Sequence, residues 1–220
     1  IDSGSEFIIA PVINKKRPGL LSNLQQIETL LLAGITVGST KLKTPLLCSG
    51  ANLSYTKSLF KKLKPYENNY NILSGDDMFF LEKIIREDDC HVEICANSTV
   101  ETEGAKSFTE MVSRSVRWAS KSSKLAMSLS TVFGAIVLII NCSILFMTVL
   151  IILDIDSIVF FIKLCAVKTI VDVLFLVLLA NRYSRYQTII YFPIMVVFYP
   201  FYLFIVSLAS VFSSPDWKGR

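Results

Sequence analysis

Two adjacent carboxylates, Asp76 and Asp77, follow Gly75 and precede an apolar run in which Met78, Leu81, Ile84 and Ile85 recur at helical spacing. Ser74 stands three residues before Asp77 and fits a capping box, in which these carboxylates start a helix and offset its dipole. A carboxylate held there is also placed to act as a general base that takes a proton from a hydroxyl. The two roles are compatible. Further along, Arg114, Arg117, Trp118 and Lys121 lie in a helix-like stretch from Ser107 to Lys124. One reading is structural, basic side chains that snorkel and a tryptophan at a membrane interface. The other is chemical: a guanidinium clamp for a diphosphate leaving group, with an indole face on which a sugar ring stacks. A third candidate is the small-residue turn Ser49-Gly50-Ala51-Asn52, after a predicted strand Thr44–Cys48. Small residues at a strand end let a ligand approach the backbone, although such a turn also serves as an ordinary connection.

Other combinations fall short. Cys90, His91 and Cys95 offer two thiols and one imidazole without a further nearby ligand, which does not close a zinc site, and Cys-His-Val-Glu-Ile-Cys-Ala reads as an alternating strand. Five cysteines, two of them inside apolar runs, argue against a secreted disulfide framework. The formal charge of +4 is modest and the basic residues are not interleaved with aromatics, so nucleic acid is not an expected partner.

The elements that must position these residues divide the chain in two. With 52% hydrophobic residues and a mean hydropathy of +0.53, the chain is too apolar for an ordinary soluble domain and too charged to be all membrane. Charged and turn-forming residues gather before Lys124. The predicted division is a soluble segment over 1–125 and a membrane segment over 126–220, with helices near 132–153, 158–180 and 189–212, each longer than the roughly 20 residues that cross a bilayer. Arg114, Arg117, Lys121 and Lys124 precede the first run, only Asp154 and Asp156 separate the first two, and Arg182 and Arg185 follow the second. That bias places the soluble segment in the cytoplasm of a cell whose inner membrane holds the chain. Lys218 and Arg220 conflict with three full crossings, and Pro193 and Pro200 offer the last run a way to bend or re-enter. Lys168 and Asp172 stand four apart and pair on one helix face, with Lys163 nearby.

In the soluble segment, Glu6–Val12 has a buried-strand pattern that needs neighbouring strands, and Ile1 in place of Met is read as a cut from something longer. Ser22 is the predicted cap of an amphipathic helix over Leu24–Ala33, with Leu24, Ile27, Leu30 and Leu31 on one face. Two placements suit it: against a missing half of the domain, or in the membrane interface with Lys15, Lys16 and Arg17 on lipid headgroups.

Taken in order, Cys48-Ser49-Gly50-Ala51-Asn52, then Gly75-Asp76-Asp77, then Arg117-Trp118 followed at once by apolar helices, the chain resembles the membrane-bound family 2 glycosyltransferases, which include cellulose, chitin and hyaluronan synthases. The resemblance implies an α/β, partial GT-A-like (Rossmann-like) domain followed by an all-α transmembrane helix bundle. It implies Asp77 as base with Asp76 beside it; Ser49, Gly50, Ala51 and Asn52 lining the acceptor and diphosphate site; and Arg114, Arg117 and Trp118 gripping the diphosphate and acceptor sugar. It further implies a nucleotide-sugar donor, a lipid or glycan acceptor, inversion at the transferred carbon, and a divalent cation, Mg or Mn, whose ligands lie outside these residues. The closing Asp216-Trp217-Lys218-Gly219-Arg220 resembles the tail of some single-sugar members.

Two departures stand out. Arg114 occupies the place of the family's Gln, and the family's Asp-x-Asp metal motif is not in the soluble segment, so the chain is expected to hold the acceptor-side half and to be inactive alone. Three spans and the replaced Gln favour single over repeated transfer. A rival class, a non-enzymatic transporter subunit or receptor with a small cytoplasmic domain, explains the spans and charge bias but leaves the ordered motifs coincidental.

Overall fold

The computed structural model describes residues 4–65, 67, 76–87, 91–122, 129–153 and 158–212. The chain is mostly helical, with two small sheets. In the first, β1 (Phe7–Ile9) lies between antiparallel β3 (Leu53–Tyr55) and parallel β4 (Val92–Ile94). The neighbours that Glu6–Val12 needs are therefore supplied by this chain. Phe7 and Ile9 are fully buried against Leu59, Phe80, Leu81 and Ile84. The rings of Phe7 and Tyr55 both meet Phe80 edge-on, at 5.1 and 5.0 Å between centroids, the arrangement that aromatic quadrupoles favour.

Pro11 ends β1, having no N–H to give a ladder, and the chain passes to β2 (Val12–Asn14), which pairs in parallel with β5 (Val100–Thr102). Two helices complete the first layer. α2 (Lys57–Leu63) is capped by the Thr56 hydroxyl, which accepts from Leu59 N–H at 3.2 Å. α3 (Asp76–Arg86) buries Phe79, Phe80, Leu81 and Ile84, so of the apolar repeat read from the sequence Leu81 and Ile84 face the core, Met78 is partly covered and Ile85 is exposed. Ser74, the predicted capping partner, lies outside the described residues.

α1 is longer than its apolar repeat suggests, running over Leu20–Lys41 with Gly19 rather than Ser22 at its N-cap. Leu24, Ile27, Leu30 and Ala33 form one core with Leu176 and Leu179 of α6 (Ile158–Arg182) and with Phe192 and Met195 of α7 (Phe192–Phe212). The chain's own apolar helices thus cover the face for which a missing half was one expected partner. At Gly34 the contact is closest: a Cβ there would lie 2.6 Å from side-chain atoms of both Leu179 and Phe175.

The segment Thr44–Cys48, predicted as a strand, pairs with no strand among the described residues. Its backbone groups are taken by side chains instead: Leu46 N–H donates to Ser39 Oγ at 3.1 Å, and the Leu46 carbonyl accepts from Ser130 Oγ at 2.6 Å. Ser130 opens α5 (Leu129–Ile152), and α4 (Phe108–Ser122) packs through Met111 and Val116 on Tyr202 and Val206 of α7. Ser115 and Tyr202 share a hydrogen bond.

Three long apolar helices follow α4, as the hydropathy predicts. Among the described residues, α5 and the stretch Tyr186–Phe212, which begins in a 3-10 turn at Tyr186–Tyr191, are long and apolar enough to cross a membrane. α6 carries Lys163, Lys168 and Asp172, of which Lys168 and Asp172 form the predicted pair at 2.6 Å. The far end of α6 is tied to the first layer, because Arg182 donates to the Ala96 carbonyl at 3.0 Å and to Asn97 Oδ1 at 3.2 Å, and Arg185 pairs with Glu101.

Because an added side chain at Gly34 must push Leu179 and Phe175 aside, Gly34→Val is expected to lower the stability of the detergent-solubilised chain by about 1–3 kcal/mol. Thermal unfolding measures this, and an unchanged midpoint would show that α1 and α6 do not pack as described.

Candidate active site

The described hydrogen bonds bring together two of the three sequence candidates. Asp77, in the first turn of α3, accepts from Gly50 N–H at 2.8 Å through Oδ2 and from Met78 N–H at 2.9 Å through Oδ1. Cys48 Sγ donates to the Asp77 carbonyl at 3.2 Å. Burial first, and the Asp77 charge second, push the Cys48 thiol well above its usual range, so this cysteine stays a neutral donor and not a nucleophile.

The turn that presents Gly50 is fixed from behind. Asn52 donates through Nδ2 to the carbonyls of Pro11 at 2.9 Å and Ser98 at 2.7 Å, while its own carbonyl accepts from Ala10 N–H at 3.1 Å. Ser49 accepts from Ala51 N–H at 3.4 Å. Asn52 thus links the turn to both sheets, an anchoring task distinct from the ligand contact read from the sequence. Nor is Gly50 needed for space. A Cβ there would meet Asp77 Oδ2 at 3.7 Å, an ordinary contact. What Gly50 supplies is its N–H, a charge-assisted donor that fixes one carboxylate oxygen and leaves the remaining lone pairs of Asp77 to face outward. Asp76 is exposed beside it.

The third candidate sits on α4, in a different packing cluster. Arg114 donates to the Glu103 carbonyl at 3.0 Å and pairs with Glu110 at 2.6 Å, which ties its guanidinium to the corner between β5 and α4. In this arrangement Arg114 has a structural pair beside the ligand contact expected of it. The carboxyl of Glu110 is held below the usual range by the Lys106 N–H first and by Arg114 after it. Arg117 and Trp118 follow on α4, with Trp118 more than half exposed. Lys121 belongs to the same helix.

Among the described residues no group of three or more His, Cys, Asp or Glu side chains converges on one point. Asp76 and Asp77 by themselves do not make up such a group, so no step below is routed through a divalent cation.

One charged residue passed over in the sequence reading is Glu28. It lies on α1, half-buried and within electrostatic reach of Tyr199 and Tyr202 of α7, and burial raises its carboxyl from 4.5 to about 7. Sequence spacing gave one clue: Glu28 falls one residue after Ile27, on the edge of the apolar stripe.

The Asp77–Gly50 geometry holds a carboxylate ready to take a proton from a hydroxyl, which suits transfer of a group to that hydroxyl, and the family comparison agrees in class. A glycosyltransferase family model matches nearly the whole chain. It is that of glycosyl transferase family 21, over residues 8–220, and the chain belongs to that family. The match is thus to a glycosyltransferase family, but not specifically to the family 2 group that the motif order resembles. No match is found among curated proteins.

Two predictions follow from this geometry. Ser49 has extended backbone at φ −137°, ψ 128°, which accepts a following proline, so Gly50→Pro removes the N–H, and its Cδ, standing where that hydrogen pointed, drives the Asp77 carboxylate off the turn. Sugar transfer by the full-length protein is expected to fall by at least about 10-fold, the smaller value of a hydrogen bond to a charged group, while Gly50→Ala stays near the parental rate. Equal rates for both variants would remove the N–H from the site.

For Glu28, the folded chain keeps a proton that the unfolded chain has released between pH about 4.5 and about 7. Stability must therefore fall as pH rises through that window, by about 3 kcal/mol for a shift of this size. Glu28→Gln is expected to flatten the fall and to stabilise the chain above pH about 7, read as thermal midpoints across pH.

Proposed function

We propose that this chain forms the acceptor side of a membrane-embedded glycosyltransferase that moves a single sugar from a nucleotide-sugar donor to a lipid acceptor at the cytoplasmic face of the inner membrane. Membership of glycosyl transferase family 21 supports the reaction class. The apolar helices beside the site support a lipid over a soluble glycan. The observation that carries the residue roles is the carboxylate of Asp77, held by Gly50 N–H at the end of the small-residue turn.

In this reading Asp77 is the general base. It takes the proton of the acceptor hydroxyl as that oxygen attacks the anomeric carbon of the donor sugar; the bond from that carbon to the departing diphosphate oxygen breaks on the opposite side, and the configuration inverts. Fixing the carboxylate beforehand avoids reorganisation during proton transfer. Asp76 adds negative charge next to the base. Arg117 and Trp118 take the roles that the resemblance to family 2 gives them, a cation for the diphosphate and a face for the sugar. Arg114 acts through Glu110 and Glu103 as a brace for the start of α4. A divalent cation belongs to the proposal with ligands beyond the described residues, where it would supply charge neutralisation for the leaving diphosphate.

The test is Asp77→Asn in the full-length protein. The amide keeps the size and can still accept from Gly50 N–H, but it is not a base. We expect kcat to fall about 10²- to 10⁴-fold with the KM for the acceptor changed far less. Transfer near the parental rate would take Asp77 out of the base role.

A further inference from the structure

The corner where β2 leads into α1 and β5 leads into α4 encloses a small cleft of about 40 Å³, with Asn14, Lys15, Arg17, Ser22, Gln25 and Lys106 in its walls. The walls are fixed in place. The buried Gln25 amide accepts from Ala105 N–H at 2.6 Å and donates to the Ala105 carbonyl at 3.0 Å. Gly104 permits this close approach, since a Cβ there would lie 3.1 Å from Gln25 Oε1 and 3.4 Å from Asn14 Nδ2.

Charge at the mouth is unbalanced. Lys15 and Arg17 both reach Glu103, at 2.9 and 2.5 Å, and Lys106 acts on the same carboxylate through space. Three cations on one carboxylate leave an excess of two positive charges, and Arg114, already matched by Glu110, does not change the balance. Beside the cations lie exposed apolar side chains: Leu20 at the start of α1, and Phe108, whose ring meets Phe198 of α7 edge-on at 5.6 Å. The free space is that of about three waters, which suits a tetrahedral oxyanion.

We propose that this cleft binds a phosphate group. Lys15, Arg17 and Lys106 supply charge-assisted hydrogen bonds to its oxygens, Glu103 sets the spacing of the first two, and the Leu20 and Phe108 edge receives whatever hydrocarbon the phosphate carries. The site is separate from Asp77: Asn52 ties the Gly50 turn to Pro11, and Lys15 lies four residues further along extended chain, about 13 Å at strand rise. The phosphate comes either from an anionic lipid headgroup or from a soluble anion.

The test separates these sources without using transferase activity, so its outcome is independent of the function proposed above. The full-length protein in neutral detergent is titrated with inorganic phosphate in one arm and short-chain phosphatidate in another, with short-chain phosphatidylcholine as the uncharged control, and the thermal midpoint is followed. We expect a saturable rise with at least one anionic probe, none with phosphatidylcholine, and at least tenfold weaker apparent affinity in the double variant Lys15→Gln, Arg17→Gln. A rise with phosphatidate alone assigns a lipid headgroup, and a similar rise with inorganic phosphate assigns a soluble anion. If the double variant fails to fold, Lys106→Gln, a change at an exposed side chain, takes its place. No rise with either anion, or a rise that these substitutions leave unchanged, overturns the proposal.

Discussion

α1 has to be buried on both of its sides, and the placement of nearly everything else follows from that requirement. Its Leu24, Ile27 and Leu30 stripe goes into one core with Ile13 of β2, Leu176 and Leu179 of α6, and Met195 of α7. Each such side chain contributes about 1.5–3 kcal/mol on burial, so sheet and apolar helices cannot separate without exposing a continuous apolar surface. Gly34 sharpens the fit by letting the α1 backbone come up against Leu179 and Phe175. Several buried polar residues of α1 find partners: Gln25 closes on Ala105, and the Thr36 and Thr40 hydroxyls donate back to the Leu32 and Thr36 carbonyls at 2.9 and 2.8 Å, whereas the buried Gln26 Oε1 has none.

On this platform the candidate base is held by backbone rather than by a side-chain partner. Gly50 N–H meets the Asp77 carboxylate, and behind Gly50 the Asn52 amide joins the ends of both sheets through Pro11 and Ser98. The small-residue turn and the acid pair are separate signals in sequence and one constellation in space. Their junction depends on β1 sitting between β3 and β4, so the packing of Phe7 and Ile9 in the core is indirectly a requirement of the site.

The sequence made the faces of elements legible better than their limits. Periodicity located the buried face of α1 and the Lys168–Asp172 pair, and on α3 it found Leu81 and Ile84 but missed Phe79 and Phe80 and put the exposed Ile85 in the core. It stopped α1 too early, because Gly34, Thr36, Gly38, Ser39 and Thr40 are poor helix formers whose helical state is imposed by tertiary packing. It assigned a strand to Thr44–Cys48 because nothing local announces that Leu46 spends its backbone groups on Ser39 and Ser130. Site residue types were readable, but the hydrogen bond between Gly50 and Asp77 spans 27 positions and is set by strand order, which spacing does not encode. Arg114 is a further case. Its motif position suggests a ligand contact, and only the fold shows that the Glu103 carbonyl also lies within its reach.

The guanidinium ties from Arg182 and Arg185 to Ala96, Asn97 and Glu101 lie within a few turns of Phe175, Leu176 and Leu179, where α1 packs on α6. Both fastenings thus fall at one end of α6, and that end travels with the strands as one piece. Motion that admits an acceptor is left to the opposite end of α6 and to the elements outside this clamp.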